Sequence, residues 1–154
     1  MTLDEVIARG CIRQTIANYT IAGDNRDAEL FNAQWAESAT WEFTAFPPLP
    51  GFKLTGLDAI RSRTATWVKL PVEDATLRSA TFIRHNLTTC HIELTAKDAA
   101  TAKTYFFVNT DIGPDHAGIY SDSLVRQGER WLFMHRRIKL DWRSPDSCFP
   151  PVRR

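Results

Sequence analysis

The chain has 154 residues, 44% of them hydrophobic and 24% charged, with a formal net charge of +1. This is the balance of an ordinary globular domain, long enough to bury a core without disulfides or metals, and a single domain is the simplest expectation. A charge so close to zero excludes the basic footprint of a nucleic-acid or anionic-membrane binder, and no run approaches the ~18 apolar residues of a membrane span. Cys11, Cys90 and Cys148 are odd in number and show no C-x-x-C spacing, which argues against a disulfide framework and for a reducing cytoplasm. Met1–Glu5 carries neither the basic segment nor the apolar run of a signal peptide, in keeping with a cytoplasmic protein.

Residues 3–22 read as a helix in which Ile12, Ile16 and Tyr19 share one face, with Gly23 as its stop. A second helix is predicted over 26–37, with Leu30, Phe31 and Trp35 as its apolar stripe and Asp24 or Asn25 as its N-cap. Thr40–Thr44 reads as a strand, followed by a loop through Pro47, Pro48, Pro50 and Gly51. Thr55-Gly56-Leu57-Asp58 resembles a capping box and opens a third helix to about Leu70, with Leu57, Ile60 and Trp67 inward. Four long strands are then expected, over 81–95, 100–111, 117–127 and 130–142, rich in β-branched and aromatic residues and joined by short turns as an antiparallel meander. Residues 144–154 hold Pro145, Pro150 and Pro151 and are expected to form an irregular tail beside a surface or pocket mouth, after a single domain over 1–143. Helices first and strands last is an α+β layout.

Two residues at element boundaries stand out. Asp24 closes the first helical segment, and His85 lies in a strand where alternation places it with Ile83, Leu87 and Thr89 on one face. Brought together they would make a proton-transfer dyad: histidine is the natural base near neutral pH, and a carboxylate on its second nitrogen fixes the tautomer and stabilises the imidazolium. From spacing alone Asp24 reads more readily as a helix N-cap, and the usual explanation of His85 is a hydrogen-bonded core histidine. His91 is placed on the same face nearer the sheet rim, His116 in a turn, and Asp122 with Arg126 on one strand face as an ion pair. Arg136 and Arg137 should point to opposite faces. The histidine and cysteine spacings form no recognisable zinc site, and neither a metal nor a cofactor is expected.

The order of several motifs carries a resemblance over nearly the whole chain: Tyr19-x-x-x-x-Asp24-x-x-Asp27, Leu30-Phe31, Ala39-Thr40-Trp41, Gly56-x-x-Ala59-Ile60, Arg84-His85-x-x-Thr88, Gly118-x-Tyr120-x-Asp122-x-Leu124-Val125-Arg126, Trp131 and Asp141-Trp142. In this order they are similar to the SnoaL-like branch of the nuclear transport factor 2-like superfamily. The resemblance implies a cone-shaped, strongly curved antiparallel sheet wrapped round three N-terminal helices, with a deep apolar pocket and a homodimer or homotrimer. It implies that His85 and Asp24 match the catalytic dyad of the dehydratase and dehydrochlorinase members, with Tyr19 binding the substrate oxygen. Trp41 matches a pocket-lining tryptophan of dehydrochlorinase-like members. Phe43 and Trp67 are further lining candidates from their place beside the predicted pocket mouth, and Asn109 or Tyr120 could donate to an enolate oxygen.

The leading expectation is a cofactor-independent, dehydratase-like lyase acting on a small, largely apolar, cyclic substrate. An isomerase or polyketide cyclase would begin with the same proton abstraction. A non-catalytic pocket or assembly module, and an accessory β-subunit of a ring-hydroxylating oxygenase, are the alternatives outside that chemistry, since fold alone does not deliver function.

Overall fold

The computed structural model describes residues 1–153; Arg154, the last residue of the expected tail, lies outside them. Helix α1 (Leu3–Asn25) opens on a true capping box: Glu5 N–H donates to Thr2 Oγ1, and Thr2 N–H donates to the Glu5 carboxylate. Its buried stripe is Ala8, Ile12, Thr15, Ile16, Tyr19 and Ala22, the i, i+4 spacing that turns one helix face towards a core. The helix runs through Gly23 and stops at Arg26, which takes the left-handed conformation at φ 58°. Asp24 therefore sits in the last turn of α1. The cap of α2 (Ala28–Asn32) is Asp27, whose Oδ1 accepts from Leu30 N–H at 2.9 Å. The predicted second helix is thus much shorter than expected, and Trp35 already belongs to β1 (Trp35–Phe43).

A short strand β2 (Phe52–Thr55), absent from the sequence reading, pairs antiparallel with β1. Helix α3 (Leu57–Thr64) follows from Gly56, whose positive φ serves the turn but which has no side chain to cap with, so the predicted capping box is not made. After β3 (Leu77–Arg78) come β4 (Arg84–Ala96), β5 (Ala99–Thr110), β6 (Gly113–Gln127) and β7 (Arg130–Arg143), an antiparallel meander as the turns predict. Val152–Arg153 of the tail forms β8 and pairs with β3, so the tail is not wholly irregular.

The α+β class stands, but the expected cone does not. The main sheet is open and mixed, in the order β2-β1-β7-β6-β5-β4, and is neither strongly curved nor closed. Its mixed character comes from β1, which lies parallel to β7 with Thr40 opposite His135 and Phe43 opposite Ile138. The α1–α2 corner delivers β1 alongside β7, and this is the one parallel pairing among the described strands. Helix α1 lies against β4 and β7, and the core is shared between its inner stripe and the inward residues of β5, β6 and β7, among them Phe106, Val108, Tyr120, Leu124 and Phe133. No helix among the described residues is long and apolar enough to cross a membrane.

Candidate active site

The extension of α1 past Gly23 decides the fate of Asp24. With Asp27 capping α2, the Asp24 carboxylate is free to turn towards β4. It accepts the His85 backbone N–H at Oδ2, 3.0 Å away, and meets His85 Nδ1 at Oδ1, 2.6 Å away. Because an ionised carboxylate only accepts, Nδ1 carries the hydrogen, and in the neutral ring Nε2 keeps its lone pair. The Asp24 side chain is 4% exposed and the His85 side chain 20%: the carboxylate is screened by protein while the ring retains access.

That access is to a cavity of about 520 Å³, within the ~300–1,000 Å³ range of small-molecule sites. Helix α1 contributes Tyr19 to its wall, β1 contributes Trp41 and Phe43, and β4 contributes His85. Trp67 enters from the segment beyond α3, and Tyr120 from β6. Asn109, the remaining candidate, does not line it: inward positions on β5 are the even-numbered Phe106, Val108 and Thr110, and Asn109 falls between them. Phe106, Ile138 and Leu140 also line the cavity, so these residues belong to the inner side of the sheet.

Tyr19 is buried beneath this cavity among Phe31, Trp35, Tyr120 and Phe133. Burial raises its pKa to about 12, against the opposing pull of Arg136, so the phenol keeps its proton near neutral pH and can act as a donor. Burial likewise raises the pKa of Tyr120. Behind both rings lies a fully buried ion pair. Arg136 Nε and Nη2 each donate to Asp122 at 2.7 Å, and the guanidinium carbon is 4.1 Å from the Tyr19 ring centre and 4.2 Å from that of Tyr120. Burial works against the Arg136 charge, but the Asp122 carboxylate outweighs it and raises the guanidinium's pKa. The predicted Asp122–Arg126 pair is therefore replaced: register sets Asp122 directly opposite Arg136 on β7, while Arg126 Nε donates to Gly128 O.

His116 is the residue that the sequence reading misplaced. It lies in β6, 8% exposed, and lines the same cavity. Its Nδ1 is 2.6 Å from Asp115 Oδ1, and its ring centre is 6.0 Å from that of His85. Asp115 is fully buried and also accepts from Thr110 Oγ1 at 3.0 Å and Ser147 Oγ at 2.8 Å. Burial raises the Asp115 pKa, yet the bonds from His116, Ser147 and Thr110 prevail and hold it below the usual carboxylate value. Burial lowers the His116 pKa despite its carboxylate partner. The signal was available in the alternation His116, Gly118, Tyr120, Asp122, Leu124, carried back one step past the Gly-Pro-Asp turn motif. His91 also departs from expectation. A bulge between Leu87 and Cys90 inverts the strand parity, so Cys90, Ile92 and Leu94 turn inward and His91 is exposed. His135 bonds Glu42 at 3.1 Å and does not line the cavity.

With this geometry in view, the comparisons with known proteins are informative. The chain belongs to the SnoaL-like domain family, whose family model matches residues 4–137. Among solved structures, hexachlorocyclohexane dehydrochlorinase LinA-type3 from Novosphingobium barchaimii superposes with a TM-score of 0.71 at 16% identity, covering 97% of this chain and 93% of that one. A candidate scytalone dehydratase from Novosphingobium aromaticivorans gives 0.70 at 18%, covering 94% and 91%. The beta subunit of a candidate aromatic-ring-hydroxylating dioxygenase from the same organism gives 0.70 at 16%, covering 91% and 93%. These likenesses concern the fold. No curated protein sequence matches the chain.

Proposed function

We propose that this protein is a lyase of the dehydratase type, acting on a small, largely apolar, cyclic substrate. The observation that carries the reading is the 2.6 Å contact between His85 Nδ1 and Asp24 Oδ1, with the His85 ring on the wall of an aromatic-lined cavity. Nε2 takes a carbon-bound proton, the C–H electrons form the new double bond, and the C–O bond to the departing hydroxyl breaks. The proton held by the imidazolium passes to that hydroxyl, so the products are the alkene and water and the base is regenerated. Asp24 orients the ring and stabilises its charged form. Tyr19, protonated, is the donor to a substrate oxygen. Return of the proton to a different carbon would give an isomerase, and attack of the carbanion on a second carbonyl would give a cyclase, from the same first step. The dehydrochlorinase and candidate dehydratase among the structural neighbours support an elimination.

The same reading takes the protein as a homodimer or homotrimer in the cytoplasm. Tyr105, Phe107 and Trp142 are exposed on the outer side of the sheet, and Phe107 and Trp142 both register with Ala117, a row of apolar groups suited to self-association. An accessory-subunit role is the second reading, favoured by the dioxygenase beta-subunit neighbour; solution mass by light scattering separates a self-sufficient oligomer from a monomer awaiting another chain.

The direct test is a panel of hydroxylated and halogenated cyclic compounds in deuterated buffer, read by NMR for elimination and for exchange at carbon. Wild-type protein is expected to turn over at least one member, and His85→Gln to lose ~10²–10⁴-fold of that rate. Equal rates for the two proteins would end the dyad reading.

A further inference from the structure

The cavity wall carries three arginines and no carboxylate among the described residues: Arg26, Arg63 and Arg143 line it, while Asp24 and Asp115 stand behind the histidine rings. None of the three arginines makes an ion pair with a carboxylate among the described residues. Arg26 and Arg143 converge on one feature, Phe149 of the tail. The Arg26 guanidinium carbon is 5.2 Å from the Phe149 ring centre and 5.3 Å from that of Trp67. Arg143 Nη2 donates to Phe149 O at 3.3 Å and Ser147 O at 3.2 Å, but its Nε is buried without a partner. Arg26 has one backbone acceptor, Gly23 O at 3.3 Å. Burial destabilises the Arg26 charge, and the attraction of Asp24 offsets only part of that cost. Arg63 stands over Phe52 at 5.6 Å, nearer the exposed rim.

Arginine stays charged in proteins, and a half-buried guanidinium, with the buried Nε of Arg143 left without a partner, gains when an anion meets it. A planar guanidinium favours a carboxylate, which can accept from two N–H groups at once. The Trp67 and Phe149 faces stacked on Arg26 provide the apolar half of such a site. We propose that the ligand of this cavity is a cyclic carboxylic acid, its ring among the aromatic side chains and its carboxylate between Arg26 and Arg143. The reacting C–H lies apart from the carboxylate, since a carboxylate does little to acidify its own neighbour. This rests on the reading of the cavity as a substrate site and names the class of substrate it takes.

The test is a matched pair of probes, 2-naphthoate and 2-naphthamide, titrated into the full chain at low and high salt with tryptophan fluorescence as readout. The naphthoate is expected to bind on the order of tenfold tighter, and the advantage should shrink with salt. Arg26→Gln should remove most of the difference by weakening the naphthoate far more than the naphthamide, and Arg26→Lys should restore part of it. The variants are chosen at Arg26 because Arg143 also holds the tail. Equal or tighter binding of the naphthamide, or failure of the naphthoate to bind, overturns the proposal. So does a preference that survives Arg26→Gln. The titration is repeated with His85→Gln, where a retained carboxylate preference beside lost turnover separates this inference from the catalytic one.

Discussion

His85 meets Asp24 and His116 meets Asp115 through the same ring nitrogen and at the same 2.6 Å, and both rings line one cavity. Their supports differ. Asp24 and His85 are 61 residues apart and are joined by the end of α1 against the start of β4; His85 supplies both of the Asp24 hydrogen bonds, from its ring and its backbone. Asp115 and His116 are neighbours in β6, and the carboxylate is further bound by Thr110 of β5 and Ser147 of the tail. One carboxylate serves a single histidine. The other ties two strands and the tail together and serves a histidine in passing. A histidine–carboxylate contact is thus no sign of catalysis by itself; what distinguishes the first pair is a carboxylate that hydrogen-bonds only its histidine among the described residues and a ring with more access, 20% against 9% exposed.

The largest effect expected is the loss of turnover in His85→Gln. Asp24→Asn comes next, with a loss on the order of 10²-fold in kcat, because the amide can still accept the His85 backbone N–H but no longer fixes the ring's tautomer or balances the imidazolium. Its melting temperature should move little. If steady-state kinetics show His116→Gln to be as damaging as His85→Gln with folding intact, the assignment of roles between the two pairs must be reversed.

How legible this was in the sequence follows from the kind of signal each feature has. Strands β4 to β7 were readable because β-branched and aromatic runs bounded by short turns have few other solutions. The inward placement of His85 followed from alternation, and its association with Asp24 from family resemblance. Boundary chemistry was misread: Gly23 looked like a helix stop, yet Arg26 takes the left-handed position, and this shift of the helix end makes Asp27 the cap and frees Asp24. The parallel placement of β1 beside β7, which replaced the expected curved antiparallel cone, is set by tertiary packing that no local pattern encodes. Asn109 missed the cavity and His91 left the inner face for related reasons: face assignment fails by one residue wherever parity is misjudged or a bulge intervenes.

Asp115→Asn should reverse the ranking when stability rather than turnover is measured. Three side chains donate to this fully buried carboxylate, and an amide turns one of its two positions from acceptor into donor. Leaving buried donors without an acceptor costs about 1–3 kcal/mol, which should lower the urea midpoint clearly below that of Asp24→Asn, where only His85 is affected. If the two variants unfold together, the distinction between a working carboxylate and a structural one collapses.

The smallest effect is a dependence of stability on pH carried by His116. Its folded pKa lies below the ordinary value because burial opposes the charged ring. The groups electrostatically coupled to it are Asp115, which favours its charge, and His85 and Arg143, which oppose it. Above the unfolded pKa of about 6.5 both states hold the ring neutral, and the full stability is present. As pH falls below that, the unfolded chain binds a proton that the folded one refuses, so stability declines until the lowered folded pKa is reached. Asp115, also held low in the folded state, adds a second decline in the same direction at still lower pH, from about 3.9 downward. Melting temperatures of the wild type should therefore fall as the pH is lowered from neutrality, and in His116→Gln the first part of that slope should flatten and the second shrink with it, because the bond from His116 is part of what holds Asp115 low. An unchanged slope in the variant would mean that His116 takes up its proton as readily in the fold as outside it, and would remove the distinction drawn from its burial.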